Sequence, residues 1–340
     1  MPGAIPLIRG FALLPTLRWL AVNGGSVERA FADAHLWPNP ITDPFRPIPL
    51  VHVAALLRNA AREHGPDLPL RIVSETSSLE IAMLGKVALG ARTPAEALGR
   101  IVAALPYYCS HEQVSFERKP GQYVVREFFA HRFDRETLHI LLQYATAMID
   151  RILGMAGDPP PRFARIEIPP HPVHGVDHLG PWFGDRVAGT RSRGITAVID
   201  DRIMERAFDK VGRDRLNPRK LDHRTPLRGG EAFSESVKFF LGLMIESNQA
   251  PTMKQVVAAA GTSARSFQRQ LVEEGTSFSE LLADVRRNET LKRLKERNVT
   301  IAAIATDLGY ADQASFTRAF RRWTGSPPGQ FRERTNELEA

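Results

Sequence analysis

The side chains of this 340-residue chain best placed for specific chemistry stand in two short runs near its C-terminal end. Arg265, Gln268 and Arg269 are spaced i, i+3 and i+4, so on a helix all three project from one face. Arginine offers two donors that match O6 and N7 of guanine, and glutamine pairs in the same way with adenine; each good pair discriminates by about 1–3 kcal/mol. Gln313, Ala314, Ser315 and Arg318 form a second such face. Ala314 has only a methyl to set against thymine, so this face is expected to discriminate less. Ser263 and Asp312, each opening its helix, are expected to turn backbone amides toward phosphates, with Arg321 or Arg322 adding charge there. Each of these side chains also has the plainer reading of a solvated surface residue.

Other sets tempt and are set aside. His171, His174, Asp177 and His178 could ligate a divalent metal, but they lie in a Pro/Gly-rich stretch with no element to fix their geometry, and a polar loop is expected. Cys109, beside Ser110 and His111, has no acid or resolving cysteine near it in sequence and reads as a buried structural thiol. Phe267, Phe316, Phe320 and Trp323 resemble base-stacking aromatics. Their spacing instead groups them with Leu271 and Leu308 in a core.

The elements that must position the two faces are legible. Thr252 and Gln255 make a capping box for a short helix through Val256, Val257 and Ala260; Gly261 stops it, and Ser263 caps the next, which carries Phe267 and Leu271 inward until Gly275. Ile301, Ile304, Ala305 and Leu308 repeat the first helix, Gly309 breaks it, and Asp312 caps a helix with Phe316 and Phe320 that ends at Gly325. A shift of 49 residues superposes Ser263 on Asp312, Phe267 on Phe316, Arg269 on Arg318 and Leu271 on Phe320. Helix, glycine turn, capped helix is the outline of a helix-turn-helix, here duplicated. A connecting helix is expected from Phe278 to about Arg297, with Leu281, Leu282, Val285, Leu291 and Leu294 inward. Units held about 34 Å apart would enter successive major grooves.

Upstream the pattern is mixed. Ser26 caps a helix expected to run through Leu36, and Pro49 to Glu63 has a helical apolar period. Thr93 to Glu96 reads as a capping box with Pro94 at the first helical position, and Asp134 caps a long helix with Leu138, Leu142, Ile149 and Ile152 along one face. Val114 and Phe116, then Tyr123 and Val125, alternate about Pro120-Gly121 as a hairpin, and Phe163 to Ile168 and Ile195 to Ile199 read as strands. No phosphate loop or nucleophile elbow appears, nor any paired acid–base set, so an enzyme with an accessory helical domain is the weakest of the readings.

The run from Ile301 to Tyr310 (IAAIATDLGY), Ser315 to Phe320 (SFTRAF), Thr324 to Pro328 (TGSPP) and Phe331-Arg332 resembles the AraC/XylS family of bacterial transcriptional regulators. Thr262 to Leu271 (TSARSFQRQL) and Gly275 to Phe278 (GTSF) extend the resemblance, which covers Ala232 to Arg334. It places the family's base-contacting positions on Arg265, Gln268 and Arg269. Glu289-Thr290 departs from the small apolar residue usual on the connecting helix, and Pro328 follows Pro327 where one proline is common. Ile48-Pro49, Gly85 and Thr93 to Leu98 (TPAEAL) are similar, more weakly, to the N-terminal domain of the ornithine-utilisation-regulator subgroup. The sugar-binding β-barrel of the arabinose regulator is not expected. Activators of the family touch RNA polymerase through the helical domain, which makes polymerase a partner if this chain activates.

Composition fits that picture. The chain is 43% apolar and 24% charged, as in an ordinary globular protein, and its length suggests two domains. No apolar run approaches a membrane span; Pro15 and Arg18 break the N-terminal apolar stretch, which makes a poor signal peptide. A single cysteine rules out an intrachain disulfide framework and a cysteine-based zinc site, and the reading is a cytoplasmic protein. The net charge of +7 is modest, but Lys254 to Arg334 holds 14 basic against 9 acidic residues, clustered at Arg286-Arg287, Lys292-Arg293, Lys295, Arg297 and Arg321-Arg322. Such a face can neutralise phosphate, although charge alone fits a solvated helix equally well.

The expected architecture is an α+β N-terminal domain for effector binding and dimerisation (1–209), a polar linker (210–231), an all-α domain with two helix-turn-helix units joined by a long helix (232–335) and a short tail (336–340). The expected function is sequence-specific binding of double-stranded DNA as a homodimer, answering to a small-molecule effector, with no cofactor, metal or membrane. An architectural DNA-binding protein without effector control is the alternative. Tyr107, Tyr108 and Trp182 are candidate effector contacts.

Overall fold

A computed structural model of the chain describes residues 4–36, 41–75, 90–208, 227, 232–247, 249–295 and 299–338. It divides into two compact units, Pro6–Arg228 and Gly229–Ala340. Of the stretch expected as a linker, 210–231, only Leu227 falls among the described residues. It is buried, and its amide donates to Pro106 O at 2.9 Å. Gly85, which carries part of the resemblance, lies outside the described residues, as does Arg297.

In the first unit, β1 (Leu7–Arg9) pairs antiparallel with β2 (Pro47–Pro49). Helices α1 (Leu14–Val22) and α2 (Val27–Asp33) lie between them in sequence, and α3 (Leu50–His64) and α4 (Leu68–Glu75) follow. Pro15, expected to interrupt this region, sits in the first turn of α1, where a missing N–H leaves no bond unmade. Ser26 caps α2 by accepting from Arg29 N, but the helix stops at Asp33 rather than Leu36 because His35 turns to a left-handed φ of 49°.

Helix α5 (Pro94–Ala104) begins at Thr93, whose hydroxyl accepts from Glu96 N at 3.2 Å. The reciprocal half of the expected box is displaced: Glu96 accepts from Arg92 N at 2.9 Å, one residue upstream, and also binds the Arg100 side chain. β3 (Glu112–Lys119) and β4 (Gln122–Phe129) form the hairpin, with Gly121 supplying the positive φ of its turn. With β5 (Arg165–Ile168), β6 (Val187–Gly189) and β7 (Gly194–Asp200) they make a five-stranded sheet of order β3-β4-β7-β5-β6, antiparallel except for β5 against β6. Asp134 caps the long α6 (Arg135–Gly154), and Leu138, Leu142, Ile149 and Leu153 bury its apolar face.

The second unit is all helix: α7 (Phe233–Glu246), α8 (Met253–Ala259), α9 (Ala264–Glu273), α10 (Phe278–Arg293), α11 (Ile301–Asp307), α12 (Gln313–Thr324) and α13 (Pro328–Leu338). The connecting helix α10 ends four residues before its expected limit; Leu294 turns inward past its end and is buried there. α13 runs into the expected tail, since nothing between Thr335 and Leu338 breaks a helix.

Candidate nucleic-acid interface

Short-range bonds start and stop both helix pairs. Thr252 and Gln255 form the full reciprocal box on α8: Gln255 N donates to the Thr252 hydroxyl and Thr252 N donates to the Gln255 side chain. Gly261, at φ 61°, reverses the chain, and Ser263 then accepts from Ser266 N at 3.2 Å to open α9. In the second helix pair, Gly309 turns at φ 73° and Asp312 accepts from Ser315 N at 2.6 Å to open α12. That amide bond holds the Asp312 carboxyl below its ordinary range. A left-handed Gly325 ends α12.

Each of the two capped helices has one dry face. Phe267 and Leu271 of α9 are buried, Phe267 edge-on to Phe233 at 5.3 Å. Phe316 and Phe320 of α12 are buried too, against Tyr310 and Phe331. Trp323 stands half-buried beside Phe320. Phe267, Phe316 and Phe320 are core, as their spacing implied, whereas Trp323 lies at its edge.

The opposite faces carry the donors. Arg265, Gln268 and Arg269 are all exposed on α9; Arg269 lies 3.5 Å from Glu273 in an exposed pair, and Gln268 makes a long contact to Met253 Sδ. Such a pair yields readily, being worth well under about 1 kcal/mol in water. On α12, Gln313, Ala314 and Arg318 are exposed and Ser315 is half-buried, its hydroxyl accepting from Arg318 at 2.9 Å. Arg321 and Arg322 are exposed in the last turn.

The basic clusters divide in two. Arg286 is half-buried: its guanidinium donates to Leu308 O and Gly309 O at 2.8 and 3.0 Å and lies over the Tyr310 ring at 4.7 Å. Arg293 pairs with Asp307 at 2.7 Å and Lys292 with Glu289 at 2.6 Å. Two of the basic residues expected on a phosphate-neutralising face, Arg286 and Arg293, thus bind the second helix pair to α10, while Lys292 pairs within α10 itself. Glu289 and Thr290, where the sequence departs from the family, are both buried; Thr290 is accommodated by donating to Arg286 O at 2.7 Å.

In the first unit, His171, His174 and His178 do cluster, around a residue that sequence reading missed. His139 on α6 is fully buried, its Nδ1 2.7 Å from Pro169 O and its Nε2 3.0 Å from His178 Nε2. Among the described residues no group of three or more His, Cys, Asp or Glu is disposed to hold a metal ion. Cys109 is buried, and burial pushes its thiol well above the ordinary range. Of the suggested effector contacts, Tyr108 lines a cavity of the first unit, Tyr107 stands 43% exposed, and Trp182 borders a separate depression near Arg162.

Comparison with known proteins matches residues 24–193 to the N-terminal arabinose-binding domain of AraC transcription regulators, and residues 256–334 to a helix-turn-helix domain. The ornithine utilization regulator of Pseudomonas aeruginosa is 36% identical over 91 residues, which is 27% of either chain, so the match spans about a quarter of that relative. The HTH-type transcriptional regulator VirS of Mycobacterium tuberculosis is 25% identical over 291 residues, 82% of each chain. The crystal structure of the transcriptional regulator CdpR from Pseudomonas aeruginosa aligns with 95% of this chain and 98% of its own, at 19% identity and a TM-score of 0.42.

Proposed function

The chain belongs to the AraC family of transcription regulators, and on that premise we propose that it binds specific double-stranded DNA through α9 and α12, each in a major groove. The matched domains are those of regulators rather than of enzymes. The observation that carries the reading is a donor-rich exposed face, Arg265, Gln268 and Arg269, set directly opposite a buried Phe267 and Leu271 and repeated 49 residues on in α12. Arg265 and Arg269 supply bidentate contacts to guanine and Gln268 to adenine. Gln313, Ala314, Ser315 and Arg318 form the less discriminating second face. Ser263 and Asp312 position the helix starts beside phosphates, and Arg321 and Arg322 add sequence-independent affinity.

The first unit takes a small-molecule effector and pairs two copies of the chain, and RNA polymerase is a further partner if the protein activates. No helix among the described residues is long and apolar enough to cross a membrane, which accords with work on DNA in the cytoplasm. The test is the double substitution Arg265→Ala, Arg269→Ala. Both side chains are exposed, so the fold is kept, and two lost base contacts of about 1–3 kcal/mol each weaken specific binding by a factor of about 30 or more. Non-specific binding, measured in the same titration on unrelated DNA, falls less. Equal losses on both would contradict base readout and favour an architectural role.

A further inference from the structure

Within the first unit, α3, α5, α6 and the β3–β4 hairpin surround a cavity of about 140 Å³. Its walls are mostly aliphatic and aromatic, among them Leu57, Ile101, Leu141 and Ile149, and no Lys, Arg or His lines it among the described residues. Two carboxyl groups do. Glu127 lies on the inward side of β4 and is 3% exposed, and Glu112 on β3 is half-buried. In the hairpin register Val114 faces Glu127 and Phe129 faces Glu112, so the two acids are diagonal neighbours on the same face. Oε1 of Glu127 is buried with no hydrogen-bond partner.

A carboxylate in such a place is unusual. Burial, and for Glu127 the neighbouring carboxylate, push both acids above their ordinary range, Glu127 furthest. Two like charges in a largely apolar site cannot both ionise without a positive partner, and none of the described residues on the cavity wall supplies one. An unpaired buried acceptor beside an apolar cavity is the arrangement of a ligand pocket with one polar anchor.

We propose that this cavity binds a small organic cation, a primary amine or amidinium on an apolar body of about six to eight heavy atoms, with its charged head on Glu127 and Glu112. The proposal rests on the effector reading above and gives that effector its chemical class. A cation takes the place of the proton that the two acids otherwise share and meets the buried Oε1 of Glu127; a carboxylate would bring a further negative charge with nothing to meet it. A zwitterionic amino acid fails for the same reason at its carboxylate end. An alcohol of the same shape fills the apolar part and leaves the charge uncompensated.

Isothermal titration of the full chain with hexylamine, hexanol and hexanoate tests this, in the wild type and in Glu127→Gln. Hexylamine is expected to bind at least tenfold more tightly than hexanol, hexanoate not to bind, and Glu127→Gln to lose the tenfold preference while still taking up hexanol, which shows the variant folded with its cavity open. Glu112→Gln gives a second comparison at the less buried position. Equal binding of amine and alcohol, an unchanged preference in Glu127→Gln, or no binding of hexylamine would each overturn the assignment. The affinity for target DNA with and without hexylamine separates the two readings: preferential amine binding that leaves DNA affinity unaltered upholds the ligand chemistry and removes the effector role.

Discussion

His139 illustrates what a single buried side chain does to the whole unit. Burial lowers its pKa to about 4, from an ordinary value near 6.5. The folded state therefore keeps this ring neutral where the unfolded chain accepts a proton. Its contribution to stability is complete above pH 6.5 and is lost as pH falls toward 4, because acid favours the form that binds the extra proton. Between pH 7 and 4.5 the loss attributable to this one ring is about 2–3 kcal/mol. Urea unfolding of the N-terminal transition at the two pH values, in the wild type and in His139→Gln, should show a smaller acid-dependent loss in the variant. An identical loss would mean that other groups carry the acid sensitivity. Sequence reading named His171, His174 and His178 but not His139, which is 32 residues from the nearest of them and sits on a helix whose apolar face offers no sign of it. Glu127 was within reach: continuing the alternation of Tyr123 and Val125 by one step puts it on the buried face of β4, with Phe129 after it. Its pairing with Glu112 depends on the hairpin register.

At the scale of elements, the caps were the most legible feature. Ser26, Thr93, Asp134, Thr252, Ser263 and Asp312 each accept from the backbone N–H three residues on, an interaction wholly local in sequence. Helix ends were read less well where a tertiary contact decides them, as at the end of α10. Strands β1, β2 and β6 are three residues each and too short to show a period, and α4, with Pro69 in its opening turns, gave no start signal. Two glycine turns of the helical domain, one after α9 and one between α11 and α12, differ in how much they forgive. Gly275 and Gly309 both hold a left-handed φ, but a Cβ on Gly275 meets nothing within 4 Å, whereas on Gly309 it would lie 2.9 Å from Ala250 Cβ. Gly275→Ala is expected to cost about 1 kcal/mol from backbone strain alone, and Gly309→Ala about 2–4 kcal/mol, since the loop bearing Ala250 must also move. Calorimetric melting of the two variants checks the order. Equal costs would show that the Ala250 contact is relieved without loss.

For the whole molecule, the division of labour follows from where charge is consumed. Arg286 and Arg293 are turned inward to join α10 to the second helix pair, while Arg265, Arg269, Arg318, Arg321 and Arg322 remain at the surface of α9 and α12. Composition could not make that distinction, because the partners, Asp307 and the carbonyls of Leu308 and Gly309, lie 14 to 23 residues away. The helix-turn-helix repeat was plain because each copy is built from local signals. The cavity of the first unit was not, since its walls come from elements spread over the chain from Ile8 to Ile152. The most direct test of sequence-specific binding by two recognition helices is a footprint of the full chain on the DNA upstream of its own gene, with competitor DNA and a salt titration. We predict protection of two adjacent major grooves per subunit, about 10 base pairs apart, that survives unrelated competitor. Diffuse protection, steeply salt-dependent and displaced equally by any sequence, would contradict it.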